Sequence, residues 1–184
     1  MDTSKLTTRD EKIAYLLGKQ PGTLDFDDLV LVMELLRSEG GCPWDMEQDH
    51  HSIRNDLIEE TYEVIEAIDK DDPVHLREEL GDVLLQVMFQ SVMAEQENKF
   101  TFEDVTNGVA DKLVHRHPHV FGDVDAKDEA TVMKNWERIK QMEHRKEARH
   151  SALDGVPATL PALLKARRTM EKAKRIGYEE DLKP

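Results

Sequence analysis

The sequence predicts an all-α protein, and three observations carry that reading. Glu, Lys, Leu, Ala and Met are plentiful while β-branched runs are scarce, a usage that favours helix throughout. Apolar residues recur at three- and four-residue intervals in segment after segment. Gly and Pro fall at the ends of those segments and hardly ever inside them. Strand content should be close to zero.

The elements follow in chain order. A short amphipathic stretch from Asp10 to Leu17 closes at Gly18 and is followed by a Pro21-Gly22 turn. Phe26, Leu29, Val30, Met33 and Leu36 place a helix over about Asp25 to Ser38, ended by Gly40-Gly41-Cys42-Pro43. Asp45 with Gln48 has the spacing of a capping box for a following turn. A helix covers about Ser52 to Lys70, and Asp72 with Pro73 then restarts the chain as N-cap and first helical residue. That next helix reaches about Glu97. Thr101 and Asp104 open another, which runs to about His115, where His117-Pro118-His119 breaks it and is expected to be loop. A helix from about Glu129 to Ala148 comes next. After Asp154-Gly155-Val156-Pro157, a basic helix from Pro161 to Gly177 carries Lys165, Arg167, Arg168, Lys172, Lys174 and Arg175. Residues 1–22 are expected to form an appendage, 23–150 the functional domain, and 151–184 a linker with the basic helix.

The chain of 184 residues has a formal charge of −14, which argues against duplex nucleic acid as a partner and suits a protein that gathers divalent cations. A single cysteine, Cys42, excludes an internal disulfide and fits a reducing compartment. No stretch approaches the roughly 20 apolar residues of a membrane span. The polar first residues lack the apolar core of a signal peptide. A cytoplasmic location, away from membranes, is the expectation.

The chemistry concentrates in two neighbouring helices. Glu59, Glu60, Glu63 and Glu66 fall in one arc of the first, with Leu57, Ile58, Tyr62, Val64, Ile65 and Ile68 opposite. Alone, this is the pattern of a solvated surface helix. The second helix is apolar almost all round between Leu76 and Met93, except for one seam of Glu79, Asp82, Gln86 and Gln90. Carboxylates on a largely buried helix need partners. A very short turn joins the two helices, so they should pack as an antiparallel hairpin. Glu60 and Glu63 are spaced i, i+3, as are Glu79 and Asp82, and the hairpin brings the two pairs together. Two carboxylates about 4 Å apart repel by roughly 4 kcal/mol at an effective dielectric of 20. Either they protonate or a cation sits among them. All-oxygen ligation favours Mg²⁺, or Mn²⁺, over zinc. A helical di-iron site would show Glu-x-x-His, which neither helix offers.

Glu-Glu-x-x-Glu followed, after fifteen intervening residues, by Glu-x-x-Asp resembles the signature of the MazG family of nucleoside triphosphate pyrophosphohydrolases. Gly41-Cys42-Pro43-Trp44-Asp45 with Gln48 is similar to that family's opening loop. Leu80-Gly81 inside the second motif, Lys112, the run Arg116 to Gly122, and Asn135-Trp136-Glu137 match its later landmarks. The resemblance covers about residues 24–178. It implies a MazG-like helical bundle completed by dimerisation, and hydrolysis of a (deoxy)nucleoside triphosphate to monophosphate and pyrophosphate. It further implies Mg²⁺ on Glu60, Glu63, Glu79 and Asp82, and nucleotide contacts from Lys112, Arg116, Trp136 and Lys140. Glu59, on the same arc, is placed to orient or deprotonate the attacking water. The segment from Leu160 to Gly177 resembles the opening of a second such domain. Broad base specificity and nucleotide-pool house-cleaning are the leading expectation. A selective pyrimidine dNTP or phosphoribosyl-ATP pyrophosphatase is the alternative within the superfamily. A non-catalytic helical partner-binding protein, its acidic stripe solvated, is the alternative outside it. His115, His117 and His119 are read as loop structure because Pro118 breaks any ligand geometry.

Overall fold

A computed structural model describes residues 5–126, 128–146 and 155–175 of the chain, and among them every regular element is a helix. They divide into two compact units, 1–109 and 110–184. The all-α expectation is met.

In the first unit, α1 (Arg9–Gly18) begins at a capping box between Thr8 and Glu11. The next helix, α2 (Phe26–Leu36), begins at one between Asp25 and Asp28. These boxes satisfy amide donors that a helix start otherwise leaves open. The two helices pack together. The Lys19 ammonium reaches the fully buried Asp28 carboxylate. Burial pushes the Asp28 carboxyl up, but Lys19, the Asp25 amide and Tyr15 outweigh it and hold it down at about 2. At the other end, the Arg9 guanidinium donates to Leu35 O at 3.2 Å and Gly40 O at 2.7 Å. Gly41 is required there, since a Cβ would lie 2.2 Å from Leu36 O and 2.5 Å from Leu35 O.

The capping expectation for Asp45 and Gln48 is not met. Pro43 is already a first helical residue, so α3 (Pro43–Glu47) starts early and takes Asp45 into its interior. Gln48 ends the helix, donating its backbone N–H to Asp45 O and its side-chain amide to Trp44 O at 2.9 Å. Asp49 caps the next turn instead, accepting from the His51 and Ser52 amides at 2.8 and 2.7 Å.

The hairpin forms as expected from α4 (Arg54–Asp69) and α5 (Pro73–Gln96). Asp71 takes a left-handed conformation (φ 52°), and Asp72 Oδ1 accepts from the Val74 and His75 amides. The turn at Asn98 (φ 56°) and the Thr101–Asp104 box then start α6 (Phe102–Arg116). The core lies on the C-terminal half of α5: Met88, Phe89, Val92 and Met93 pack with Met33, Ile53 and Phe102.

The second unit holds the rest of α6, then α7 (Pro118–Phe121), α8 (Glu129–Lys146) and α9 (Ala162–Arg175). The histidine segment is therefore not loop throughout. Pro118, with its fixed φ, starts a one-turn helix after the break at His117. The expected helix ends at Ala148 and Gly177 lie outside the described residues. Among the described residues no helix is long and apolar enough to cross a membrane.

Candidate functional site

Packing of α4 on α5 turns part of the acidic arc inward: Glu60 and Glu63 share the half-buried side with Leu57 and Val64 around the buried Ala67, while Glu59 and Glu66 stay exposed. Glu60 and Glu63 are half-buried against α5, whereas Ile58, Tyr62, Ile65 and Ile68 on the opposite arc are each 45–54% exposed. On α5, Glu79 is only 7% exposed while its neighbour Leu80 is 52% exposed. Near the hairpin carboxylates thus share the inward side with apolar residues, an unusual place for charge, while several large apolar side chains stay outside.

The structure gathers Glu60, Glu79 and Asp82, whose carboxylate oxygens lie within 4.8 Å of one another. Glu63, on α4, is not one of these three, but it is close enough to Glu79 for their carboxyls to interact. Glu59 stands apart, exposed on the flank of α4. Burial, followed by the charges of Asp82, Glu63, Glu79 and Glu59, raises the Glu60 carboxyl above its ordinary value. The interaction with the Glu79 carboxyl and the charge of Glu79 raise Glu63 in the same direction. Both shifts report a concentrated negative potential. The donor set is three or four hard oxygens on two rigid helices, which fits a divalent cation of the Mg²⁺ or Mn²⁺ type.

Gln86, one turn past Asp82 on the same seam, is 7% exposed, and its Oε1 has no hydrogen-bond partner. Gln90 meets the His50 ring, which also approaches Glu97 at 3.4 Å. His75 was not singled out from the sequence, yet its Nε2 lies 2.7 Å from Glu79 Oε1. The i, i+4 spacing of the two residues was the signal for it.

The second unit gathers most of the residues expected to hold a nucleotide. The Arg116 guanidinium lies 5.3 Å and the Lys140 ammonium 4.6 Å from the centre of the Trp136 ring. Glu143, absent from the sequence reading, binds Arg116 through Nε at 3.1 Å and through Nη2. Lys112 lies exposed one turn before Arg116 on α6. Trp44 is 59% exposed and meets Phe89 edge-on at 6.4 Å, so it does not plug the core.

Residues 48–121 match the MazG nucleotide pyrophosphohydrolase domain. The chain is 45% identical over 154 residues to an Escherichia coli (strain K12) protein named nucleoside triphosphate pyrophosphohydrolase, covering 83% of this chain and 59% of that one. It is 45% identical over 161 residues to the Thermotoga maritima nucleoside triphosphate pyrophosphohydrolase/pyrophosphatase MazG, covering 88% and 61%. It is 47% identical over 158 residues to Bacillus subtilis (strain 168) YabN, covering 86% and 30%. The chain thus spans about three-fifths of the length of the first two relatives and under a third of the other. With the paired acidic motifs facing each other across one helical hairpin, the chain belongs to the MazG family.

Proposed function

We propose that this chain hydrolyses (deoxy)nucleoside triphosphates to the monophosphate and pyrophosphate, using Mg²⁺ held by Glu60, Glu63, Glu79 and Asp82. The observation that carries the reading is the carboxylate cluster: Glu79 is buried with oxygens of Glu60 and Asp82 close by. Domains are stable by only about 5–15 kcal/mol, so clustered like charges need an occupant. A non-catalytic partner-binding protein would have no use for this arrangement.

The bound ion supplies charge neutralisation for the triphosphate. Glu59, next to Glu60 in the chain and open to solvent, is assigned to orient or deprotonate the attacking water. Lys112, Arg116 and Lys140 are assigned to phosphate oxygens, and Trp136 to stacking on the base. An indole accepts any base, which supports broad base specificity and a role in clearing the nucleotide pool. The protein is incubated with Mg²⁺ and each NTP and dNTP in turn, and pyrophosphate and orthophosphate are measured. Pyrophosphate from most substrates is expected. Orthophosphate, or no product from any, would overturn the reading, while turnover of one pyrimidine dNTP or of phosphoribosyl-ATP alone would replace broad specificity with a selective enzyme.

A homodimer is part of the same proposal. Ile58, Tyr62, Ile65 and Ile68 of α4 and Leu80 and Val87 of α5 are large apolar side chains left exposed, which a second copy would cover. Light scattering should give about twice the 21.2 kDa chain mass, and Ile65→Arg should shift it toward one. A wild-type mass of one chain at micromolar concentration would contradict it.

A further inference from the structure

Glu79 is the most enclosed member of the carboxylate cluster, at 7% exposure. One side chain holds it: His75, one turn earlier on α5, whose Nε2 is 2.7 Å from Glu79 Oε1. The His75 backbone is itself fixed, because its amide donates to Asp72 Oδ1 at 3.1 Å in the first turn of the helix. An i, i+4 pair on a helix surface is ordinarily loose and nearly neutral in energy. Here the carboxylate side is only 9% exposed and belongs to the cluster, so the imidazole contacts an oxygen that water scarcely reaches.

We propose that His75 is a positioning residue for the metal centre: its Nε2–H holds one oxygen of Glu79 and limits the carboxylate to the orientation that faces Glu60 and Asp82. A ligand fixed in advance loses less freedom when the cation binds. Outer partners of metal ligands typically affect affinity by about 10–100-fold. His75 makes no contact with substrate in this role and acts through Glu79. The inference rests on the metal-site reading above.

The test measures Mn²⁺ affinity by titration calorimetry in the full chain, without nucleotide, for wild type, His75→Leu, His75→Gln and Glu79→Gln. His75→Leu should weaken Mn²⁺ binding about tenfold. His75→Gln, which keeps an N–H donor, should recover most of it. In turnover, the Mg²⁺ concentration for half-maximal rate should rise about tenfold in His75→Leu while kcat at saturating Mg²⁺ is kept. A merely structural side chain would lower the metal-free melting temperature and leave the Mg²⁺ dependence unmoved. If His75→Leu and His75→Gln both bind Mn²⁺ as wild type does while Glu79→Gln does not, the inference is wrong and the metal site stands. If Glu79→Gln also binds normally, the metal site itself is wrong.

Discussion

Glu79→Gln is expected to lower pyrophosphate release by about 10³-fold, because losing one charged ligand forfeits several kcal/mol of stabilisation of the developing phosphate charge. The substitution nearly conserves volume, and Glu79 sits where its negative charge is a burden to the empty fold. Glu60 and Glu63 are both held above the ordinary carboxyl range, by burial and by neighbours that include Glu79. Removing that charge relieves repulsion, so the metal-free variant should melt no lower than wild type. Loss of activity with retained stability separates a ligand from a scaffold residue. Glu66→Gln serves as the control: Glu66 is exposed on α4 and pairs with Lys70 at 2.6 Å, away from the cluster. Steady-state pyrophosphate release at saturating Mg²⁺ checks the pair. Less than a tenfold loss in Glu79→Gln would remove Glu79 from the site.

Metal binding should also stabilise the fold strongly. A ligand that binds only the native state stabilises it by about 2.7 kcal/mol at a hundred times its Kd. For a chain of this length that corresponds to a rise in Tm of about 5–10 °C. Here the effect should be larger than for a surface cation, since the ion also cancels the repulsion among Glu60, Glu63, Glu79 and Asp82. Asp82→Asn should abolish most of the rise, and Glu66→Gln should leave it intact.

The helices were legible in the sequence where a local side chain settles them. Asp72 with Pro73 and Thr101 with Asp104 cap their own helices, and both do so in the structure. Asp45 with Gln48 has the same kind of spacing, but Pro43 starts the helix first. Periodicity divided α4 into an acidic and an apolar arc without saying which one is buried. The ordinary rule, apolar inward, is broken there only by Glu60 and Glu63, which share the inward side with Leu57, Val64 and Ala67, and such local failures mark functional positions. The seam of Glu79 and Asp82 on α5 did carry that information, since charge on an otherwise apolar helix requires partners. Trp136 and Lys140 are four residues apart, so their contact was legible, as was the placing of Lys112 and Arg116 on one face of α6. The Arg116–Glu143 pair joins α6 to α8 over 27 residues, and no local pattern announces it. His75 and Glu79 had the right spacing, but only the burial of Glu79 distinguishes their contact from an idle surface pair.

The central claim is that the inward carboxylates of α4 and α5 hold a divalent ion. Thermal melting of wild type, Asp82→Asn and Glu66→Gln across a Mg²⁺ titration from zero to high millimolar tests it most directly. A saturable rise in Tm is expected for wild type and Glu66→Gln, with a nearly flat response for Asp82→Asn. A wild-type Tm that stays flat throughout, or an equal rise in all three proteins, would contradict it.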